Sequence, residues 1–185
     1  KLESTNQYLV KAESGKGKSS LISFIYGVRQ DYDGQITLNN RSTRDLTLLD
    51  WSTLRKNHLS IIFQDLKLFP NLSTWDNLLI KNTLTDYKTE KEILSMLEQL
   101  GLGDKKEQKC GTLSYGQQQR VAIIRSLLQP FDFLLMDEPF SHLDEKNISI
   151  ACELIHQELK KKDSGMILTS LGDSYEFNYT ETLYI

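Results

Sequence analysis

The residues from Tyr8 to Ser19 constrain this chain more than any other stretch. Tyr8 to Ala12 reads as a short strand, Gly15 and Gly17 interrupt it, and Lys18 to Tyr26 carries Leu21, Ile22 and Ile25 at helical spacing. A strand running through a Gly-rich turn directly into a helix is a unit of α/β folds. Its loop falls at the C-terminal edge of a parallel sheet, the edge where such folds bind ligands. Small residues in the turn let backbone N–H groups converge on an anion, and the helix points the positive end of its dipole there. An isolated Gly/Ser/Lys turn would look similar, but the strand before it and the helix after it favour a phosphate-binding loop.

The rest of the pattern agrees with an α/β fold. Gln35 to Leu38 alternates like a strand, Asp50 is placed to cap a short helix, and Leu59 to Phe63 is an apolar strand. Between Gln64 and Leu128 the character becomes mainly helical. Thr89 with Glu92 forms a capping-box pattern, and Ile93, Leu94, Leu97 and Leu100 make an apolar stripe. Phe133 to Met136 is a continuous apolar run of the kind a buried parallel strand needs, and it ends in Asp137-Glu138. Ile148, Cys152, Ile155 and Leu159 mark a helix face that Gly165 is expected to stop, and Met166 to Thr169 and Leu183 to Ile185 read as closing strands.

With 185 residues, the chain suffices for one substantial core and a small subdomain. No apolar run approaches the roughly 20 residues of a membrane-spanning helix. A formal net charge of −3 with interspersed signs predicts no broad nucleic-acid or anionic-lipid surface. The two cysteines, Cys110 and Cys152, lack the spacing of a disulfide scaffold or zinc site. That cysteine usage makes the cytoplasm the expected compartment, and no charged-then-apolar leader is seen in the sequence given.

Residues Ala12 to Ser19 fit the Walker A pattern with Ala12 in the first glycine position. The phosphate-binding set is then Ser14, Gly15, Lys16, Gly17, Lys18, Ser19 and Ser20, with Lys18 reaching the β and γ phosphates and the Ser19 hydroxyl offered to Mg2+. Asp137 and Glu138, ending their apolar strand, read as the matching Walker B pair: Asp137 supports Mg2+ and Glu138 polarises the attacking water. Either word alone has a plain alternative, an acidic strand end or a surface turn. Together they point to a P-loop ATPase.

Leu113-Ser114-Tyr115-Gly116-Gln117-Gln118-Gln119-Arg120, leading into a helical run to Leu128, resembles the signature of ATP-binding-cassette (ABC) ATPases. The resemblance implies that Ser114, Gly116 and Gln117 contact the γ-phosphate of ATP held by a second subunit, with Tyr115 replacing one glycine of the usual pair. Gln64, after the strand ending at Phe63, resembles the Q-loop glutamine, which senses Mg2+ and water. Ser141-His142-Leu143-Asp144 resembles the D-loop, whose aspartate Asp144 helps assemble the dimeric site. Phe63 to Asn77 is similar to exporters of the lipoprotein-releasing and macrolide-efflux type. In those the segment after the Q-loop receives a helix of the permease, near Phe69 and Trp75 here.

The implied fold is an α/β P-loop NTPase core, a mostly parallel sheet flanked by helices, with an inserted helical subdomain. Residues 1–64 and 129–185 form the core of a single ABC ATPase domain, and residues 65–128 form the subdomain. The implied function is that of an ATPase subunit that binds ATP with Mg2+, closes as a homodimer or pseudo-dimer, and powers a separate integral membrane permease. No nucleic-acid partner is expected, and the location is cytoplasmic, peripheral to the inner or plasma membrane. Two departures qualify this. Thr169-Ser170-Leu171-Gly172-Asp173 puts Leu171 where the family has a switch histidine, and leucine donates no hydrogen bond, so slow hydrolysis is expected. Only eleven residues precede Ala12, so the adenine-stacking aromatic either lies upstream or adenine is held weakly. The alternatives are a nucleotide-gated module with little turnover, which Leu171 favours and Glu138 opposes, and a non-transport ABC ATPase.

Overall fold

The computed structural model describes residues 1–185 with the exception of Ser14. Its centre is a five-stranded sheet. In chain order the strands are β1 (Gln7–Lys11), β4 (Leu59–Ile62), β5 (Phe133–Asp137), β6 (Gly165–Ser170) and β7 (Glu181–Tyr184), arranged β4-β5-β6-β1-β7 with every pairing parallel. Parallel pairing needs crossovers, and the helices α1 (Lys18–Ile25), α2 (Leu48–Asn57) and α6 (Glu145–Lys162) lie within them. The register sets Ile62 beside Met136, Asp137 beside Thr169, and Lys11 beside both Ser170 and Tyr184. Residues that follow these positions therefore collect at one edge.

Alternation of side chains divides the core into two. Leu9, Leu134, Met136, Met166 and Leu168 face the larger cluster, which also takes Leu78, Leu97, Ile123, Ile124 and Ile155. Tyr8, Val10, Leu135 and Ile167 face the other side and pack with Ile22 of α1. Strand β6 is buried along its whole length, which accounts for the apolar run Met166 to Leu168 before its two hydroxyl residues, Thr169 and Ser170.

Between β4 and β5 the chain is helical, with α3 (Thr74–Asn82), α4 (Glu90–Gln99) and α5 (Tyr115–Ser126). Each begins at a hydroxyl N-cap closed by an acid or amide three residues on: Ser73 with Asp76, Thr89 with Glu92, and Ser114 with Gln117. An ion pair joins this part to α6. Lys88, just before α4, meets Glu158 at 2.7 Å with both side chains buried, and Lys161 shares the same carboxylate.

Several local expectations are corrected. Asp50 is not the cap of α2: Thr47 is, and the Asp50 carboxylate accepts from the Thr47 backbone at 2.9 Å. The strand expected over 35–38 shortens to β2 (Thr37–Leu38) and pairs antiparallel with β3 (Arg41–Ser42). Between them Asn39 and Asn40 both take positive φ, 51° and 63°, the geometry of a two-residue hairpin turn. Helix α6 ends at Asp163, in the left-handed region, rather than at Gly165. Gly165 instead opens β6, where a side chain would meet the Asn6 carbonyl at 2.4 Å. Both cysteines are free and buried, and burial pushes the Cys152 thiol up to about 12.

Candidate functional site

Strand β1 delivers the loop 12–17 to the C-terminal sheet edge. Gly15 and Gly17 have φ of 78° and 98°, a region costly to residues with a Cβ. Ala12, in the position usually held by glycine, is not among the described residues with positive φ, so its methyl imposes no backbone strain. Gly17 is the N-cap of α1 and has no side chain to satisfy the helix's first N–H groups, which leaves them to an anion.

Lys18 is the first residue of α1 and only 5% exposed. Its ammonium donates to the carbonyls of Ala12 (3.0 Å) and Glu13 (3.1 Å) and lies 3.4 Å from Glu138 Oε1. One cation is thus held between its own loop and the end of β5. Asp137, equally buried, accepts from the Thr169 hydroxyl at 2.8 Å, so the neighbouring strand fixes its carboxylate. Glu138 has a left-handed backbone, φ 48°, and its N–H reaches the Thr169 carbonyl at 3.3 Å.

Gln64, two residues past β4, accepts from the Ser19 hydroxyl at 3.4 Å through Oε1. The Ser20 hydroxyl accepts from Arg29 at 2.9 Å, and Arg29 is ion-paired with Asp31. Gly15 and Lys16 are exposed. Ser14 lies outside the described residues. Beside the loop is a concavity of about 470 Å³ lined by Lys11, Glu13, Lys16, Leu171 and Tyr184. Leu171 is 57% exposed there, an apolar side chain at the rim of a polar site.

The start of α5 is a second feature. Ser114 is exposed, accepts from the Gln117 N–H at 3.3 Å, and donates its own N–H to Gln117 Oε1 at 2.9 Å. Gly116 is there for lack of a side chain, since a Cβ would lie 2.8 Å from the His142 carbonyl. Among the described residues, no hydrogen bond or ion pair joins Ser114, Gly116 or Gln117 to residues 12–20. Asp144 caps α6. The Asn147 backbone and side chain hold its carboxyl below the usual range, assisted by Arg120.

Lys18, Ser19, Gln64, Asp137 and Glu138 are therefore gathered, whereas Ser114, Gly116, Gln117 and Asp144 form a separate exposed end. Sequence reasoning missed the residue that ties the end of α5 to the sheet edge. Gln119 is 1% exposed and bonds the Glu138 carbonyl (3.5 Å), the Ser141 hydroxyl (3.5 Å) and the His142 N–H (3.1 Å). The available signal was a polar residue one helical turn before the buried Ile123. Thr169, a hydroxyl inside an apolar strand, was missed likewise. Phe69 is half exposed, while Trp75 packs against the larger core under Lys106, 4.0 Å from the ring centre.

A groove lies between α2 and α3. It is lined by Tyr26, Trp51, Arg55, Lys56, Lys81 and Leu84, with a volume of about 390 Å³. Burial, and secondarily Arg125, lowers the Lys81 ammonium to about 8.

Comparison with known proteins shows the family of the chain. The ABC transporter family profile matches residues 2–141. The thiamine import ATP-binding protein ThiQ of Haemophilus influenzae (strain ATCC 51907 / DSM 11121 / KW20 / Rd) is 38% identical over 162 residues, covering 85% of this chain and 72% of that one. The lipoprotein-releasing system ATP-binding protein LolD of Legionella pneumophila (strain Lens) is 31% identical over 160 residues, covering 85% and 70%. The dimeric structure of MJ0796, a bacterial ABC transporter cassette, superposes with a TM-score of 0.80 at 25% identity, covering 91% of this chain and 76% of that one. Its post-hydrolysis state bound to ADP and phosphate gives 0.81 at 24%, covering 93% and 77%. With a glycine-containing loop entering a helix, a carboxylate pair beside it and this likeness over most of its length, the chain belongs to the ABC transporter family, as an ATP-binding subunit with ATPase activity.

Proposed function

We propose that two copies of this chain close on two molecules of ATP, each held between the Lys18 loop of one copy and the Ser114 end of α5 of the other, and that the closure drives a membrane permease. The observation that carries this reading is the separation just described. The buried cation and carboxylates lie at one edge, while Ser114 is exposed at a helix start and, among the described residues, has no hydrogen bond or ion pair to residues 12–20, as a donor offered to a second molecule would be.

In this reading Lys18 and the N–H groups of residues 15–20 bind the β and γ phosphates, with Ser14 and Lys16 in the same loop. The oxygens of Ser19, Gln64 and Asp137 are hard donors in small number, which fits Mg2+, an ion that keeps phosphate and water among its ligands. When bound, the ion neutralises charge on the phosphate oxygens. Glu138 takes or orients the proton of the attacking water. Lys18 lies 3.4 Å from that carboxylate and holds it in place. Gly116 and Gln117 add N–H donors across the interface, and Asp144 lies near it. Residues 65–128 act as the subdomain that carries this donor end, and residues 1–64 and 129–185 as the core.

The permease is an integral membrane protein and this subunit sits on its cytoplasmic side. Among the described residues no helix is long and apolar enough to cross a membrane. The groove of Trp51, Arg55 and Lys81, with Leu48, Leu49 and Leu84 exposed beside it, is the surface we assign to the permease. A second reading, a nucleotide-gated module that turns over little, rests on Leu171, which brings an apolar side chain and no donor to the site.

One experiment separates these. Glu138→Gln keeps the shape of the side chain and removes its charge, so ATP is expected to trap a dimer detectable by light scattering. A variant that stays monomeric with ATP and hydrolyses as fast as the parent would sink the dimer mechanism. The parent's phosphate release, measured alongside, decides between the readings: saturable ATP binding with no turnover selects the gated module.

A further inference from the structure

Tyr115, the residue following the exposed cap Ser114, touches both segments that flank the nucleotide edge. Its hydroxyl donates to the Gln64 carbonyl at 3.2 Å, across 51 residues of sequence. Its ring meets the His142 ring edge-on, with centroids 4.3 Å apart. The next residue, Gly116, leaves no room for a Cβ beside the His142 carbonyl, and Gln119, one turn on, bonds the His142 N–H and the Glu138 carbonyl. The start of α5 is thus clamped on one side to Gln64 and on the other to the segment after Glu138.

Gln64 is itself in contact with the nucleotide edge, through the 3.4 Å bond from Ser19. A ligand that takes a lone pair of the Ser19 hydroxyl leaves its O–H donating to Gln64, so the two side chains would respond to that ligand together. The Gln64 carbonyl then carries the Tyr115 hydroxyl with it. We propose that Tyr115 is a positioning residue that passes the occupancy of a subunit's own phosphate loop to the donor end which that subunit presents to its partner. The inference rests on the dimer reading above. It gives that reading a direction: filling one site prepares the same subunit to complete the other.

The test uses the Glu138→Gln protein and follows ATP-driven dimerisation by light scattering, with monomer affinity for ADP and thermal midpoint as controls. Tyr115→Phe keeps the ring on His142 and removes only the hydroxyl. Because the side chain is 44% exposed, this change is compatible with folding. The ATP needed for half-dimerisation is expected to rise about fivefold, the worth of one part-exposed hydrogen bond, and the Hill coefficient to fall. ADP affinity and thermal midpoint should match the parent. In a Gln64→Ala background, where the carbonyl remains but the side chain no longer meets Ser19, Tyr115→Phe is expected to have no further effect.

A full fivefold effect persisting in that background would make Tyr115 merely structural and overturn the proposal, as would a Tyr115→Phe curve that superimposes on its parent. If the Glu138→Gln parent fails to dimerise at all, the dimer reading falls and takes the latch with it. A parent that dimerises beside an unaltered Tyr115→Phe removes the latch alone.

Discussion

The two halves of the site are built in opposite ways. At the edge beside the glycine loop, Lys18 and Asp137 are buried, Lys18 held by three oxygens from its own loop and Glu138, and Asp137 by Thr169 of the neighbouring strand. At the start of α5, Ser114 is exposed and its partners come from its own first turn. The first arrangement rests on the core. The second is an exposed cap on a helix start that Tyr115 and Gln119 tie to Gln64 and His142. Catalytic preorganisation favours the former, and an interface that must form and part favours the latter.

The largest test of this contrast is at Lys18. Lys18→Met keeps the buried stem but deletes the cation, leaving Glu138 without its partner. Nucleotide affinity measured by titration calorimetry is expected to fall about a hundredfold, from the loss of charge-assisted hydrogen bonds. An affinity within a few-fold of the parent would mean that the loop's N–H groups do the binding alone. Gly116→Ala addresses the other half. Its methyl would stand 2.8 Å from the His142 carbonyl, so the helix start must shift. ATP-driven dimerisation in the Glu138→Gln protein is expected to weaken about tenfold, with monomer binding of ADP retained. Equal losses in both assays would show that the two regions are not separable.

The smallest effect is predicted away from both, in the groove. Lys81 is lowered to about 8 from 10.5, so between those values the native state has released a proton that the unfolded chain still holds. Stability contributed by this group therefore rises with pH through that window. Lys81→Met should remove the rise when urea midpoints are compared between pH 8 and 10. If an acidic segment of a permease occupies the groove, its charge should push this ammonium back up.

Much of the frame was legible because its signals are local. The strand before Gly15, the apolar runs ending in Asp137 and Gln64, and the Thr89 and Ser114 capping patterns need only neighbouring residues to be read. Where two local signals competed, the choice was missed: Asp50 can cap a helix, but Thr47 three residues earlier caps it and takes Asp50 as its reciprocal partner. The links between halves were not legible. Gln119 to His142 and Tyr115 to Gln64 join residues 23 and 51 positions apart, and no periodicity announces such pairs. Nor does composition reveal that Glu138 has a left-handed backbone.

That last feature bears on how the position tolerates change. A glutamate with φ of 48° sits in a conformation that costs side-chain-bearing residues on the order of 1–3 kcal/mol. Glycine would relieve the cost and lose the carboxylate, so robustness and turnover compete at a single residue. Glutamine inherits the same contorted backbone, and a Gln-for-Glu exchange at 138 therefore isolates electric charge from conformational ease, which few active-site substitutions manage.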